Sequence, residues 1–415
     1  MYHGVSNEQR DYMSQYMEQV QKVVTPDLLW LREQFQARGY DIRIVGGAVR
    51  DLMIGLTPND VDFCTDASQV EQEEMYVALS KQFPDFHVIP TGVDHGTYTV
   101  IPTRGGEGYE ITSLRTESQH DGRHAVVAYT KDWIEDLSRR DLTINAMALT
   151  FDGKLIDPFA GLLDLQTKTV RFVGNPEERM NEDYLRILRF FRFLGRFGGE
   201  GRAAYTMPGN ELYRAVHGLE KISAERIWSE MKKIIAHPSA PWVMRLMEYH
   251  SVLDIIKIPG PSEHFYKLHE SGCTDPVLLM VACMYTRDKE AVESMAKRLK
   301  WSGDEKKVAL EITKYSSEAP STVGLKQALA VHGADRELTL KVSEFWCESA
   351  QHAALVAWEV PVFPVTGADL IAAGMTPGKQ MGDTLMHLKR SWFITTQTGA
   401  ALTKEHILSA LPQKP

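Results

Sequence analysis

The sequence predicts an α+β fold, in which a mixed α/β head is followed by an extended all-α neck, body and tail. Strand-like runs alternate with short helices and glycine-containing turns over roughly the first 150 residues. From about residue 176 onward, long amphipathic helical patterns replace them. Because 415 residues exceed what one ordinary core holds, two or more domains are expected.

The elements of the head follow from hydrophobic spacing and turn residues. One helix is predicted over residues 28–40 and a short second one directly after Gly46-Gly47. Strands, bounded by glycines and other turn residues, are predicted over 41–45, 60–63, 86–89, 97–101 and 109–114.

The remainder of the chain is predicted to be helical. Amphipathic helices are expected over 183–197, 224–236, 240–249 and 369–373. Asn181 is a natural cap for the first of them, while residues 302–323 are polar and are expected to contain an exposed loop between helices. The resulting boundaries for an N-terminal extension, head, neck, body and tail are 1–27, 28–150, 151–235, 236–335 and 336–415.

Composition narrows the class of protein. No apolar run approaches the roughly 20 residues of a membrane span, and the acidic N-terminal stretch lacks the apolar segment of a signal peptide. We therefore expect a cytoplasmic protein with no membrane partner. The cysteines are far apart along the chain and predict buried free thiols rather than disulfides or a zinc site, at Cys64, Cys273, Cys283 and Cys347. A net charge of −9 does not exclude a nucleic-acid partner, because the basic residues are concentrated.

Two aspartates form a candidate metal site. On a strand, the period of two places Asp60 and Asp62 on one face, and Val61 turns to the core. Two carboxylates this close favour a neutralising cation, and Mg²⁺ prefers oxygen ligands while keeping positions for water and phosphate oxygens. Taken alone, the pair fits a surface strand with two solvated acids better than a metal site.

A glycine pair lies about a dozen residues upstream. Gly46 and Gly47 occupy a strand-to-helix turn, where backbone N–H groups can approach an anion closely. A lone Gly-Gly pair is usually a simple tight turn. A phosphate-binding turn beside a metal site is what nucleotidyl transfer requires, so the two signals support one another.

These motifs resemble the class II tRNA nucleotidyltransferases, or CCA-adding enzymes, and the related bacterial poly(A) polymerases. The run from Val45 to Asp51, followed by Asp60-Val61-Asp62, is similar to that family's catalytic motif. The resemblance implies a nucleotidyltransferase-type head, in which Asp60 and Asp62 hold the metals that activate an RNA 3′-hydroxyl and the leaving triphosphate. It also implies a further acid, for which Glu110 is the candidate, and nucleotide contacts from Gly46, Gly47 and Arg50. His95-Gly96-Thr97 and residues 121–124 match a further element and a mobile loop of the family.

A second motif runs from Arg139 to Ala146 and is associated in the family with nucleotide binding. Asp141 and Asn145 are four apart and would share a helix face, where a carboxylate and an amide suit sugar hydroxyls. Arg139 and Arg140 suit phosphate. The alternative is a capped helix N-terminus with a solvated arginine pair.

The third motif carries base selection. Asp183 only accepts hydrogen bonds and Arg186 only donates them, and three residues apart they can reach the same side of a helix. The pair suits the amino group and ring nitrogen of cytosine or adenine, and it mismatches uracil and guanine. It resembles the family's Glu-Asp-x-x-Arg motif, in which Glu182 would orient the arginine and the pair acts as an amino-acid template. Arg189 continues the stripe that Arg186 begins along the same helix, toward the triphosphate or the RNA backbone.

The resemblance therefore implies addition of CCA to the 3′ end of tRNA from CTP and ATP, with Mg²⁺ and without an obligate protein partner. Lys221 to Trp228 resembles a supporting motif, in which Arg226 is either a phosphate contact or a structural ion pair. Lys389-Arg390 beside Trp392 resembles the tail that would hold the tRNA elbow, whereas Lys297-Arg298 beside Trp301 fits a solvated helix face. A poly(A) polymerase, or an enzyme adding only CC or only A, remains an alternative.

Overall fold

The computed structural model describes residues 17–18, 20–92, 96–120, 125–198, 207–284, 288–315, 319–400 and 402–411. His95 of the predicted His95-Gly96-Thr97 element, the loop at 121–124 and most of the N-terminal extension lie outside these residues. The chain divides into two compact units, Met1–Ile258 and Pro259–Pro415. No helix within the described ranges is both long and apolar enough to pass through a membrane.

A seven-stranded mixed sheet forms the centre of the first unit, in the order β3-β4-β5-β2-β1-β8-β9. Its strands β1 to β5 are Ile42–Val45, Asp62–Thr65, His87–Gly92, Thr97–Ile101 and Tyr109–Ser113. Strands β6 and β7, Arg115–His120 and Ala125–Tyr129, form a separate antiparallel pair, and β8 and β9 are Ala148–Leu149 and Leu155–Ile156. Within the seven-stranded sheet β2 pairs in parallel with β5, and this pairing aligns Asp62 with Glu110.

Five helices accompany these strands: α1 (Pro26–Gln36), α2 (Gly47–Met53), α3 (Gln69–Gln82), α4 (Trp133–Ser138) and α5 (Gly161–Gln166). Local chemistry explains their starts, since Thr25 caps α1 ahead of a first-turn proline and Ser68 forms a capping box with Glu71 at α3. The aromatic and aliphatic side chains between these helices and the sheet are buried, among them Phe35 and Phe63. The predicted strands and first helix of the head are confirmed to within a few residues.

The rest of the first unit is helical. It contains α6 (Pro176–Glu182), α7 (Leu185–Phe197), α8 (Gly209–Ala215), a 3₁₀ helix (Val216–Lys221), α9 (Ala224–Ile235), α10 (Ala240–Tyr249) and α11 (Val252–Ile256). Leu188, Phe191 and Leu194 form the buried face of α7. The arginines at 186, 189, 192 and 196 follow the opposite side of this helix, as its spacing predicts.

Three local predictions for this unit were wrong. The strand begins at Asp62 rather than at Asp60, so Asp60 lies in a bend before the pleat. Asn181 does not cap a helix, because α6 is capped by Asn175 and the chain kinks at Asp183 before α7 begins. Asp141 and Asn145 do not share an α-helix, since α4 ends at Ser138 and only a 3₁₀ turn over Thr143–Asn145 follows.

The second unit is all-α over its described residues. Its helices are α12 (Glu263–Glu270), α13 (Pro276–Met284), α14 (Lys289–Leu299), α15 (Gly303–Thr313), α16 (Thr322–Ala330), α17 (Arg336–Trp346), α18 (Ser349–Val356), α19 (Gly367–Ala372), α20 (Lys379–Thr396) and α21 (Lys404–Ser409). Residues 277–283 of α13 are all buried, as expected of a central helix.

The polar region 302–323 contains the expected loop, since the described residues 314–315 and 319–321 are not helical. It begins with helix α15, however, which Ser302 and Glu305 start by forming a capping box. The tryptophans beside the basic pairs are buried, Trp301 at 9% and Trp392 at 4% exposure, so both rings contribute to packing. Arg390 and Lys297 remain exposed on their helices.

Candidate active site

A cavity of about 790 Å³ is lined by residues of the glycine turn, of the Asp60–Asp62 segment and of helix α7. The metal-site pair and the nucleotide-binding candidates line it: Gly46, Gly47, Arg50, Asp60, Asp62, Arg139, Arg140, Asp141, Asn145, Asp183, Arg186 and Arg189. Glu110 and Glu182 do not. The lining residues that carry charge are Arg50, Asp51, Asp60, Asp62, Arg139, Arg140, Asp141, Asp183, Arg186, Arg189, Arg192, Arg196 and Arg226. Arginines outnumber aspartates, so the cavity is locally cationic in a protein whose net charge is −9.

The two acids of the predicted metal site both open into this cavity. Asp60 and Asp62 are exposed, although only Asp62 belongs to a strand. Partial removal from water raises the pKa of Asp62; the nearby Asp60 charge raises it further, while Arg140 opposes the shift. A divalent cation would remove this repulsion, and the lining residues supply carboxylate oxygens but neither thiol nor imidazole.

Glu110 stays a prediction. Its Cα faces that of Asp62 across the parallel pair, and both side chains are exposed. It does not line the cavity, and within the described part of the chain no three acidic, histidine or cysteine side chains form a ready metal cluster.

The glycine turn brings the backbone close to an arginine. Gly46 has φ +68° and ψ −126°, a conformation that other residues rarely adopt, and it precedes the first residue of α2. A Cβ at this position would lie 2.6 Å from Nη1 of Arg140. Gly46 is therefore needed both for the turn and for the space that the Arg140 guanidinium occupies.

Arg139 and Arg140 are held by one acid that was not predicted from the sequence. Asp136 on α4 is fully buried, pairs with Arg139 at 2.8 Å and with Arg140 at 3.4 Å, and accepts a hydrogen bond from the backbone N–H of Arg115. Burial would raise the pKa of Asp136, but the two arginines outweigh it and the pKa is lowered. The signal was present, because an acid three and four residues before two arginines lies on their side of a helix.

We expect Asp136→Asn to lower the free energy of unfolding by about 3 kcal/mol at neutral pH, because it removes the negative charge that pairs with two half-buried arginines. The pKa of Asp136 is lower in the folded protein than the value of about 3.9 expected in the unfolded chain. The wild-type carboxylate therefore stabilises the fold fully at pH values above the unfolded pKa. This contribution is lost as pH falls through the native pKa, so the two proteins should converge in acid. Chemical denaturation from pH 7 to pH 3 measures the difference. Glu135→Gln, an exposed neighbour on the same helix, is the matched control, and an equal loss in both variants would contradict the prediction.

A continuous polar network joins α7 to the glycine motif. The Asp141 carboxylate accepts a hydrogen bond from Arg189 at 2.7 Å and another from the Asn145 amide nitrogen at 3.1 Å. The Asn145 amide oxygen accepts from Arg50 at 2.6 Å, and Asp51 accepts from Arg50 at 3.0 Å and from Arg196 at 3.3 Å.

Each carboxylate of this network is paired with at least one arginine. Burial would raise the pKa of Asp141, but Arg189 outweighs it and the pKa is lowered. Because both Asp141 oxygens already accept hydrogen bonds, the carboxylate positions Arg189 and Asn145 in this structure. A contact of Asp141 or Asn145 with sugar hydroxyls stays a prediction.

Aromatic rings and a further buried acid support the remaining arginines. The guanidinium of Arg192 lies 4.2 Å from the ring centre of Phe193, and that of Arg196 lies 4.9 Å from Phe197. Arg192 also pairs at 2.7 Å with Glu230 of α9, which is 5% exposed. The sequence predicted the arginine stripe but not its partners Phe193, Phe197 and Glu230, because a helix pattern does not reveal which side chain of a neighbouring helix meets it.

The pair predicted to select the base, Asp183 and Arg186, is assembled differently from the expectation. Asp183 lies before the start of α7 rather than within it. Its carboxylate accepts hydrogen bonds from the backbone N–H of Leu185 at 3.1 Å and from Arg226 at 2.6 Å. Arg226 is thus an ion-pair partner here, one of the two roles considered for it.

Arg186 is held by a different set of partners from Asp183. It donates to the Glu182 carboxylate, as the resemblance implied, and to the backbone oxygens of Arg179 and Arg139 at 3.0 Å each. Asp183 and Arg186 both line the cavity while each is held by its own partners. An acceptor and a donor presented in this way can satisfy the amino-bearing bases and reject those with a carbonyl beside N–H.

Residues 42–171 match the family model described as the poly(A) polymerase head domain, and residues 213–264 match the model of the probable RNA- and SrmB-binding site of polymerase A. The chain is 35% identical over 409 residues to the Mus musculus protein named CCA tRNA nucleotidyltransferase 1, mitochondrial, and the alignment covers 94% of this chain and 90% of that protein. The Homo sapiens protein of the same name is 35% identical over 403 residues, with the same coverage.

Among solved structures, the Bacillus stearothermophilus CCA-adding enzyme in complex with CTP has a TM-score of 0.68 at 25% identity and covers 93% of this chain and 97% of that one. The fold class expected from the sequence is therefore confirmed. Identity above 30% along nearly the whole chain, together with the cavity and its motifs, means that this protein belongs to the CCA tRNA nucleotidyltransferase family.

Proposed function

We propose that the protein adds C and A nucleotides, taken from CTP and ATP, to the 3′ end of tRNA and releases pyrophosphate, with protein side chains in place of a nucleic-acid template. The observation that carries this proposal is the position of Asp183 and Arg186. Both line the same cavity as Asp60 and Asp62, so base selection and the candidate reaction centre share one enclosure.

Membership of this family implies a divalent metal cation, and we propose that it is Mg²⁺ held by Asp60 and Asp62. The donor set supports this choice, because the cavity offers carboxylate oxygens without soft ligands. A bound cation of this kind would lower the pKa of the RNA 3′-hydroxyl and offset charge on the departing pyrophosphate.

The chain's own residues bind and orient the nucleotide. Arg139 and Arg140, held by Asp136, and Arg189, held by Asp141, present guanidinium groups that suit triphosphate oxygens. Asp183 and Arg186 read the edge of the base. A triphosphate that carries cytosine or adenine can satisfy both sets together, whereas uracil and guanine would leave the reading pair facing groups of its own kind.

We expect nucleotide addition to require a divalent cation. Excess chelator should abolish turnover, and added Mg²⁺ should restore it without any need for zinc, because the oxygen donors prefer a hard cation. Initial rates in metal-stripped buffer, with and without each ion, measure the effect. Full activity in stripped buffer would contradict the assignment of Asp60 and Asp62.

One experiment tests the proposed function. The purified protein is incubated with a tRNA that lacks its 3′ CCA, with each nucleoside triphosphate alone and with CTP and ATP together, and the products are sized. Addition of two nucleotides with CTP and of a third with ATP is the expected result. Long products with ATP alone would favour the poly(A) polymerase alternative, and arrest after CC or addition of A only would identify a partial enzyme.

We also propose a tRNA partner and a cytoplasmic compartment. A tRNA partner is supported by the match of residues 213–264 to an RNA-binding model and by the names of the relatives. A cytoplasmic setting stays a prediction, since the mouse and human relatives are named as mitochondrial proteins.

A further inference from the structure

We infer that Gly218 is a positioning residue for base selection: by lacking a side chain, it accommodates the ring of Tyr184, and this contact fixes the kink that carries Asp183 and Arg186. The inference deepens the proposed function and rests on it. It concerns a glycine in the 3₁₀ helix Val216–Lys221, a segment distant in sequence from the residues that read the base.

The kink between α6 and α7 sets the geometry of the reading pair. Helix α6 ends at Glu182, Asp183 is extended with φ −150° and ψ 105°, and Tyr184 returns to helical angles before α7 begins at Leu185. The backbone thus changes from extended at Asp183 to helical at Tyr184, and this change is the kink. Nothing in the local sequence forces this break, because it contains neither glycine nor proline.

Tyr184 is wedged against Gly218. A Cβ built on Gly218 would overlap Cγ, Cδ1 and Cε1 of the Tyr184 ring, far inside van der Waals contact. These atoms belong to the base and edge of a rigid ring, so they cannot move aside without rotating the side chain or shifting its backbone. Lys221, three residues further along the same 3₁₀ helix, places its ammonium 5.4 Å from the ring centre.

The backbone of Gly218 does not itself require glycine. Its φ is not among the positive values found in the protein, so alanine could adopt the same conformation. In such a position, replacing glycine by alanine ordinarily stabilises a protein by about 0.4–1 kcal/mol. The steric requirement therefore comes from Tyr184, and through it from the kink.

Movement of Tyr184 would be transmitted to both reading residues. The backbone N–H of Leu185, directly after Tyr184, donates to the Asp183 carboxylate at 3.1 Å. The backbone N–H of Arg186 donates to the Asp183 carbonyl at 2.9 Å. Displacing the ring alters the peptide that lies between the two side chains, while leaving Asp60 and Asp62 untouched.

The test compares Gly218→Ala with wild type in the full-length protein. We expect the ratio of CTP to UTP affinity, measured by equilibrium binding without RNA, to fall about tenfold, because the acceptor and donor no longer face one base edge together. The same fall is expected in the ratio of kcat/KM for the two nucleotides on tRNA that lacks CCA. Gly209→Ala is the matched control, since a Cβ there would meet nothing within 4 Å.

A second pair of variants isolates the ring. Tyr184→Ala should lower the ratio less than Gly218→Ala does, and adding Gly218→Ala to Tyr184→Ala should cause no further fall, because the overlap has gone. Tyr213→Ala, which removes an exposed tyrosine from α8, should leave the ratio unchanged. Thermal melting of each protein separates a loss of fold from a loss of selectivity.

Each outcome decides the inference. A wild-type ratio in Gly218→Ala, with or without a lower melting temperature, would overturn it, as would additive effects in the double variant. A wild-type protein that bound CTP and UTP equally would overturn it as well. A protein that binds CTP selectively but adds nothing to tRNA would instead refute the proposed function, and the binding ratios of the variants would still decide the role of Gly218.

Discussion

Replacing either acid of the pair, as Asp60→Ala or Asp62→Ala, should abolish nucleotide addition, with kcat falling by about a thousandfold or more. The reason is that metal-ion stabilisation of transition-state charge contributes several kcal/mol, and each 1.36 kcal/mol corresponds to about tenfold in rate. Both side chains are exposed in the cavity, so their loss leaves the core intact. Single-turnover rates on a tRNA ending before CCA, with tRNA binding measured in parallel, give the result.

The control for this experiment is Asp85→Asn, which removes a negative charge from an exposed turn of the same unit. It should keep wild-type turnover. Near-normal turnover with Mg²⁺ in either Asp60→Ala or Asp62→Ala would show that the metal site lies elsewhere, because an intact site cannot lose one of two carboxylates without loss of rate.

The second large effect concerns selectivity rather than rate. Asp183→Ala or Arg186→Ala should reduce the CTP over UTP ratio of kcat/KM by an order of magnitude or more, roughly 1.4 kcal/mol. Each change removes one hydrogen bond to cytosine and also the unpaired-group penalty that rejects uracil. Triphosphate binding should fall much less, because the arginines held by Asp136 and Asp141 remain in place.

Arg226→Gln tests whether the ion pair to Asp183 matters for this selectivity. It releases the Asp183 carboxylate from one partner without removing it, so the ratio should fall less than in Asp183→Ala. An unchanged ratio in both Asp183→Ala and Arg186→Ala would mean that these residues only shape the kink before α7.

Local chemistry made much of the head predictable. Alternating hydrophobic residues located the strands, and residues such as Gly39, with φ +84°, marked the ends of elements. The motifs also located the cavity, because turns and strand ends that carry polar side chains meet at one edge of a sheet. The helix over 303–313 was missed although its capping box was visible, since its polar surface resembles that of a loop.

The remaining errors have a common physical origin. The break at Asp183 depends on contacts from Gly218 and Arg226, which lie more than thirty residues away in sequence. Asp141 and Asn145 meet through a 3₁₀ turn that is stabilised by Arg189 and Arg50. Tertiary contacts of this kind override the local preference that a single sequence expresses.

The ion pairs between the cavity arginines and their acidic partners affect the entropy change of ligand binding. A free arginine side chain loses about 2 kcal/mol of rotamer entropy when it is immobilised. Each arginine that lines the described cavity already has an acidic partner: Asp51 for Arg50 and Arg196, Asp136 for Arg139 and Arg140, Glu182 for Arg186, Asp141 for Arg189, Glu230 for Arg192 and Asp183 for Arg226. Their ordering therefore occurs during folding, and a nucleoside triphosphate meets cationic groups that lose little further freedom when it binds.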